Sequence, residues 1–204
     1  MRDYLAHPLP ARHADVREME FVALDLETTG LDPQHDEIAS VGYVEVRNGR
    51  VCLATARHRL VRIEGSVAQS ATLHHLVDAQ LAEGLPLDEV LGELLETLAG
   101  RALILHHAPF DLGFLNAACR RFWDVPLNAY VVDTLALARR RHHRGAHREP
   151  KKGELRLHAL RTRYGLPRYA AHDALSDALA TAELFLAFVA HWAGDQRLPL
   201  RAML

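Results

Sequence analysis

Asp25 and Glu27 lie two positions apart in FVALDLETTGLD, at the end of an apolar run that reads as a buried strand. Side chains alternate across a strand, so both carboxylates project from one face while Leu24 and Leu26 point the other way. Like charges at the end of a core strand repel each other and lose solvation, so something positive is expected between them. Two more acids stand near predicted element boundaries. Asp111, in LILHHAPFDLGFL, is at the mouth of a helix, and Asp177, in AAHDALSDALATAELF, is one turn into the last helix. His172 precedes Asp177 by five positions, a spacing that rotates a helical side chain by roughly 140°. The two converge only if His172 lies in the lead-in loop with Asp173 as N-cap, and that arrangement is predicted.

Taken singly, most of these acids have an ordinary explanation. Asp111 and Asp173 suit a helix N-terminus, where the dipole favours negative charge. Asp177 falls on the polar side of an amphipathic helix, where a solvated acid is unremarkable. Asp133, in VVDT, either caps the next helix or supports the site from behind. Asp25 and Glu27 fit a solvated strand end poorly, because FVAL precedes them and TTG follows. An all-carboxylate set suits hard Mg²⁺ or Mn²⁺, which prefer oxygen ligands, and no Cys/His cage accompanies it. The fourteen His are mostly scattered or in adjacent pairs that diverge in helix and strand alike, so a His-based zinc site is not expected.

The elements that must position these residues follow from patterning. EFVALDL is the first strand; EIASVGYVEV and VCLATARHRLV are β-rich runs joined by an RNG hairpin turn. LDEVLGELLETLAG has helical spacing and ends on Gly100, a natural C-cap. RALILHH is a short buried strand, FDLGFLNAACRRFW a helix, and AYVVDT a strand running into helical LALARR. ELRLHALRTRYGL and ALSDALATAELFLAFVAHW are the last two helices. A hairpin section followed by alternating strands and helices predicts an α/β layered fold with a mixed sheet. Residues 1–19 read as a loose or partly helical leader, 20–194 as the domain, 139–152 as a charged, mobile basic insertion, and 195–204 as a tail.

The chain has 204 residues, 49% hydrophobic and 25% charged, which suits one domain with a sizeable core. A formal net charge of −2 argues against a nucleic-acid coat but leaves room for a local basic patch. Cys52 and Cys119 form no CxxC pair and read as reduced thiols. With neither a secretory h-region nor a run approaching the roughly 20 apolar residues of a bilayer span, a cytoplasmic protein without membrane contact is expected.

The three motifs DLETTGLD, HHAPFD and HDALSDA, in this order, resemble those of the DEDDh class of 3′→5′ exonucleases, the group of the proofreading epsilon subunit of bacterial DNA polymerase III and its stand-alone relatives. The resemblance covers roughly residues 20 to 192, and the three motifs together are a specific signal. It implies a ribonuclease H-like fold, a five-stranded mixed sheet with the second strand antiparallel to the rest and helices on both sides. It makes Asp25, Glu27, Asp111 and Asp177 the ligands of two Mg²⁺ or Mn²⁺ ions and His172 the general base. It also places the backbone around Thr28 and Thr29 at the terminal 3′-OH, and Phe110 and His74 near the terminal sugar or base. Gly30 is expected to let the chain turn tightly there. The chain departs from the family in carrying His107 where Asn is usual and His75 where Gly is usual.

The chemistry supports that assignment separately. Hydrolysis of a phosphodiester needs an activated water and stabilisation of the leaving 3′-oxygen, and two divalent ions about 3.5–4 Å apart supply both. Neutral His172 would accept the water's proton, so activity should fall as pH drops through its titration, near about 6.5 or higher beside acids. The expected substrate is a single-stranded or frayed 3′ end of DNA, or of RNA, in repair or proofreading; a polymerase subunit or a sliding clamp in trans is a candidate partner. The tail's Gln-x-Leu-Pro-Leu faintly resembles a clamp-docking peptide, and the Arg residues of the insertion could contact phosphates. A haloacid-dehalogenase-type phosphatase is the competing enzyme class, but its second acid would be Asp, and the only lysines here are Lys151 and Lys152. A catalytically silent nucleic-acid-binding scaffold is the competing non-enzyme.

Overall fold

The alternation in EFVALDL divides the molecule into two cores. The computed structural model describes residues 1–63, 83–145, 149–169, 173–194 and 196–204. In β1 (Glu20–Thr28), Phe21 and Ala23 join one hydrophobic cluster while Val22, Leu24 and Leu26 join the other. β2 (Ile38–Arg47) and β3 (Arg50–Leu60) form the expected hairpin; Asn48 and Gly49 take φ of 50° and 68° at its turn. Two positive φ values suit the right-handed twist of the strands they join. β4 (Ala102–Leu105) and β5 (Val131–Asp133) complete a five-stranded sheet in the order β3-β2-β1-β4-β5. β2 runs antiparallel to β1 and β3, and β4 and β5 run parallel to β1, so the fold is the ribonuclease H-like α/β arrangement expected.

Helices cover both faces. Besides the short α1 (Arg2–Ala6), α2 (Leu87–Leu98) and α3 (Ala108–Trp123) pack Leu91, Leu94, Leu95, Phe114 and Leu115 against Leu24 and Leu103. α4 (Thr134–Gly145), α5 (Leu157–Arg163) and α6 (Ala174–Ala193) lie on the opposite face. There Phe185 of α6 meets Phe21 with ring centroids 4.9 Å apart. Burying one such ring contributes about 1.5–3 kcal/mol.

Three expectations need correction. Residues 139–145, expected within an insertion, continue helix α4: buried Leu137 and Ala138 anchor it, and no helix breaker interrupts it before Gly145. The leader is partly helical, as one of its two readings had it, and the tail docks on it: Val16 N–H donates to Leu198 O at 3.0 Å and Leu200 N–H to Ala14 O at 3.0 Å. Val16, Met19, Leu200 and Met203 are buried in the core, so the tail's leucine is not free to dock on a clamp in this arrangement. Finally, α6, at 20 residues, is long and apolar enough by length and composition to cross a bilayer. It buries Leu184, Phe185, Phe188 and Val189 against the sheet and serves as the core helix.

Candidate active site

Asp25 and Glu27 leave β1 on the α6 side of the sheet, continuing the row begun by Phe21 and Ala23. Across the ladder Asp25 pairs with Gly42 and Glu27 with Ser40. A side chain at Gly42 would collide with the backbone of Ala174 and Leu175, so the first turn of α6 rests directly on the sheet at that point. Asp173 caps this helix as predicted, its Oδ1 accepting the Ser176 N–H at 2.8 Å. The cap and the close approach bring Asp177, in the first turn of α6, to the two strand acids. One carboxylate oxygen from each of Asp25, Glu27 and Asp177 lies within 4.8 Å of the others.

Asp111 reaches the same end of the sheet from the other layer. It sits in the first turn of α3, is 3% exposed, and follows the carboxyl end of β4, which runs parallel to β1. It lies outside the close triple, yet it is the carboxylate whose charge acts most strongly on Asp25. The start of α3 is fixed from β5. Asp133 Oδ1 accepts from His107 N–H at 3.1 Å, Leu135 N–H at 2.9 Å and Ala136 N–H at 3.2 Å, while its Oδ2 accepts from Ala108 N–H at 3.1 Å. Asp133 thus caps α4 and ties down the N-terminus of α3, joining the two roles between which the sequence left it. Behind it, burial pushes the His106 imidazole down to about 4, and the neutral ring hydrogen-bonds Thr134 Oγ1 through Nδ1 at 2.8 Å.

The electrostatics of the cluster are those of acids short of cations. Burial first, then the charges of Asp111, Asp177, Glu27 and Asp173, raise Asp25 well above the usual carboxylate range. Burial, with Asp177 and Asp173, pushes Glu27 up to about 7. Burial pushes Asp111 up to about 7 as well, against backbone N–H groups of Asp111 and Leu26 that pull it down. Burial also works against the Asp173 charge, but the Ser176 hydrogen bonds and His58, 3.9 Å away, hold its carboxyl below the ordinary value. Among the described residues no Arg, Lys or His forms an ion pair with Asp25, Glu27 or Asp111. A set of convergent oxygen donors with unbalanced negative charge fits hard divalent cations and leaves little other reason for the acids to be gathered there.

The residues expected around a substrate are placed unevenly. Phe110 is half-buried at the start of α3, its ring centroid 5.2 Å from that of Phe114. Thr28 is buried and donates to Gly30 O at 2.6 Å. The N–H of Thr29 is taken by Glu37 O at 2.9 Å, and its hydroxyl accepts the Glu37 N–H at 2.9 Å. That N–H is therefore already engaged within the protein. Gly30 does not adopt positive φ; the Asp36 carboxyl fills the space a Cβ would need, so close approach rather than a tight turn requires glycine there. His74, His75 and His172 lie outside the described residues. Sequence reasoning missed Gly42. Its signal was a lone glycine inside the β-branched run SVGYVEV, a pattern that marks close approach of another backbone.

Comparison with known proteins agrees with this architecture. The Exonuclease family model (RNase_T) matches residues 22–185. DNA polymerase III PolC-type from Thermotoga petrophila is 32% identical over 170 residues, a span that covers 83% of this chain and 12% of that protein. The chain thus spans only about an eighth of the length of this relative. Exonuclease I from Methylocaldum szegediense superposes with a TM-score of 0.69 at 19% identity, over 86% of this chain and 41% of that one. E. coli exonuclease I, in complex with a dT13 oligonucleotide, gives 0.66 at 17% identity, over 84% and 41%. At such identities the solved structures speak for the fold alone. All three motifs fall inside the span that the family model matches, and the chain belongs to the exonuclease family, in its DEDDh class.

Proposed function

We propose that this exonuclease removes nucleoside 5′-monophosphates one at a time from the 3′ end of DNA. The observation that carries the reading is the carboxylate triple of Asp25, Glu27 and Asp177, within 4.8 Å and backed by Asp111. These four residues would hold two Mg²⁺ or Mn²⁺ ions. When bound, the ions supply the chemistry of phosphodiester hydrolysis, activating a water and balancing charge on the leaving 3′-oxygen. His172 serves as the base that takes the water's proton. Its chain neighbour Asp173 caps α6, and the charge of Asp173 is felt by both Asp25 and Glu27, which supports this role for the motif that contains His172 and Asp173. Phe110 offers an aromatic edge for the terminal nucleotide, a contact tolerant of base identity. The preference for DNA over RNA rests on the PolC-type relative, a DNA polymerase by name, and on the oligothymidylate bound to E. coli exonuclease I.

A 5′-labelled ladder assay tests this on single-stranded DNA, duplex DNA and RNA, with Mg²⁺ or Mn²⁺. The expected result is stepwise shortening from the 3′ end that requires the metal, favours DNA, and is abolished in Asp25→Ala and His172→Ala. Products that keep the label on a mononucleotide from the first time points, or no shortening of any substrate, would overturn it.

A further inference from the structure

An open groove of about 1160 Å³ is lined by α4, α5 and the segments flanking them, and by Asp177 of the acid cluster. The groove's exposed charged residues are otherwise basic: Arg139 from α4, Lys151 and Lys152 from the segment before α5, Arg156 at the start of α5, and Arg168 beyond it, set among apolar Leu135, Leu155 and Leu157. All five are exposed, and among the described residues none is held in an ion pair with a carboxylate. Both lysines of the chain are here, although the net charge is −2. Asp177 is the one acid in the lining, against five exposed cations that repel one another, so the groove is arranged for a ligand that brings several negative charges.

Tyr169 adds the second feature. It is 43% exposed on the groove wall, yet its ring is held firmly. Its hydroxyl donates to Glu183 Oε1 at 2.7 Å, and one face lies on the Arg161 guanidinium, 4.5 Å from the ring centroid. Arg161 is itself buried and pinned, donating to Ala180 O at 2.7 Å, Pro167 O at 2.8 Å and Glu183 Oε2 at 2.7 Å. A fixed, partly open aromatic ring among exposed cations is what a single strand needs: a platform for a base and positive charge along the backbone. The volume exceeds the roughly 300–1,000 Å³ of small-molecule pockets, which favours a polymer over a free nucleotide.

We infer that this groove is a second nucleic-acid subsite, which holds the single strand several nucleotides upstream of its 3′ end, with phosphates on Lys151, Lys152 and Arg156 and a base on Tyr169. The inference rests on the exonuclease reading above and adds to it a reason for the enzyme to prefer long over short strands. The groove would tether the strand while the acids act on its end.

Binding of 5′-fluorescein oligothymidylates of about three and about ten nucleotides tests it, measured by anisotropy with Ca²⁺ in place of Mg²⁺ and over a range of salt. Wild type is expected to bind the longer strand far more tightly. In the triple variant Lys151→Ala/Lys152→Ala/Arg156→Ala that length advantage shrinks at least tenfold, and the slope of log affinity against log salt falls by about 2, from roughly 0.7 per lost phosphate contact. Tyr169→Leu reduces the advantage about tenfold with the salt slope unchanged, because stacking carries no charge. A triple variant that keeps the wild-type length dependence and salt slope overturns the groove, even if the wild type shortens oligonucleotides normally. A wild type that shortens no oligonucleotide of either length overturns the exonuclease reading instead.

Discussion

Gly42 faces Asp25 across the β1–β2 ladder, and the backbone of Ala174 occupies the space that a side chain at Gly42 would fill. The glycine is a spacer of zero thickness between the sheet and α6. Any larger residue must push the first turn of α6 outward and carry Asp177 away from Asp25 and Glu27.

Gly42→Ala is therefore expected to damage activity more than stability. The overpacked methyl should cost about 1–3 kcal/mol, read as a lower urea midpoint. A displacement of Asp177 by an ångström or so should lower exonuclease kcat/KM by roughly a hundredfold at a temperature where the variant is fully folded. A variant that loses stability yet keeps wild-type activity would show that α6 need not touch the sheet there.

The acids predict an unusual pH dependence of stability. Glu27 and Asp111 bind their protons more tightly folded than unfolded, at about 7 against ordinary values of 4.5 and 3.8. Between those limits the native state carries more protons than the unfolded chain, so stability falls as pH rises from about 4 to about 7. In EDTA the melting temperature should decline across that window as far as these acids control it. Mn²⁺ at a hundredfold excess over its Kd should add about 2.7 kcal/mol, or roughly 5–10 °C, at pH 8. Asp25→Asn removes one repelling charge, so it should melt higher than wild type in EDTA at pH 8 and gain much less from Mn²⁺. Equal responses of the two proteins to Mn²⁺ would count against the cluster as the metal site.

How much of this was readable beforehand depends on how far apart in the chain the causes lie. The shared face of Asp25 and Glu27 follows from strand periodicity, and the Asp173 cap from a carboxylate three residues before the Ser176 N–H; both are local and both held. The close approach at Gly42 has its cause in Ala174, more than a hundred positions away, and only the glycine hinted at it. The basic segment looked like loop because charge suggests solvent, yet two buried residues of α4, Leu137 and Ala138, were enough to continue the helix into it. The composition of residues 139–152 announced basic charge and contact with phosphates but no groove, because its cations come from three separate segments and meet only in the fold.

Asp133 supports the site through the backbone, and its charge also helps raise Asp111. The two Asp133 oxygens accept four backbone N–H groups at the starts of α3 and α4. Asp133→Ala leaves those donors unpaired and should lower stability by about 2–4 kcal/mol in urea unfolding. Asp133→Asn, which keeps an acceptor oxygen but not the charge, should fall between the two. Because Asp111 sits on the first turn of α3, activity should follow the same order. Wild-type stability in Asp133→Ala would mean that water satisfies these N–H groups equally well.

At His107, where the resemblance led to the expectation of Asn, the backbone conformation gives a physical account of the departure. Its φ of 77° and ψ of 56° are left-handed, a conformation that Asn tolerates, His visits less readily, and Gly adopts without strain. The side chain is exposed, while the backbone N–H is held by Asp133, so the residue contributes its conformation more than its imidazole. Replacing it with Gly should remove about 1–2 kcal/mol of left-handed strain. The freer unfolded chain gives back about 0.5–1 kcal/mol of that. His107→Gly should therefore be more stable by roughly 0.5–1 kcal/mol, or about 1–4 °C in melting temperature. His107→Val, with a β-branched side chain forced to positive φ, should be less stable than wild type by about 1–2 kcal/mol. Thermal melts of the three proteins side by side decide it: the order Gly, His, Val is required, and a valine variant as stable as wild type would mean that the left-handed turn at the mouth of α3 is not maintained in solution.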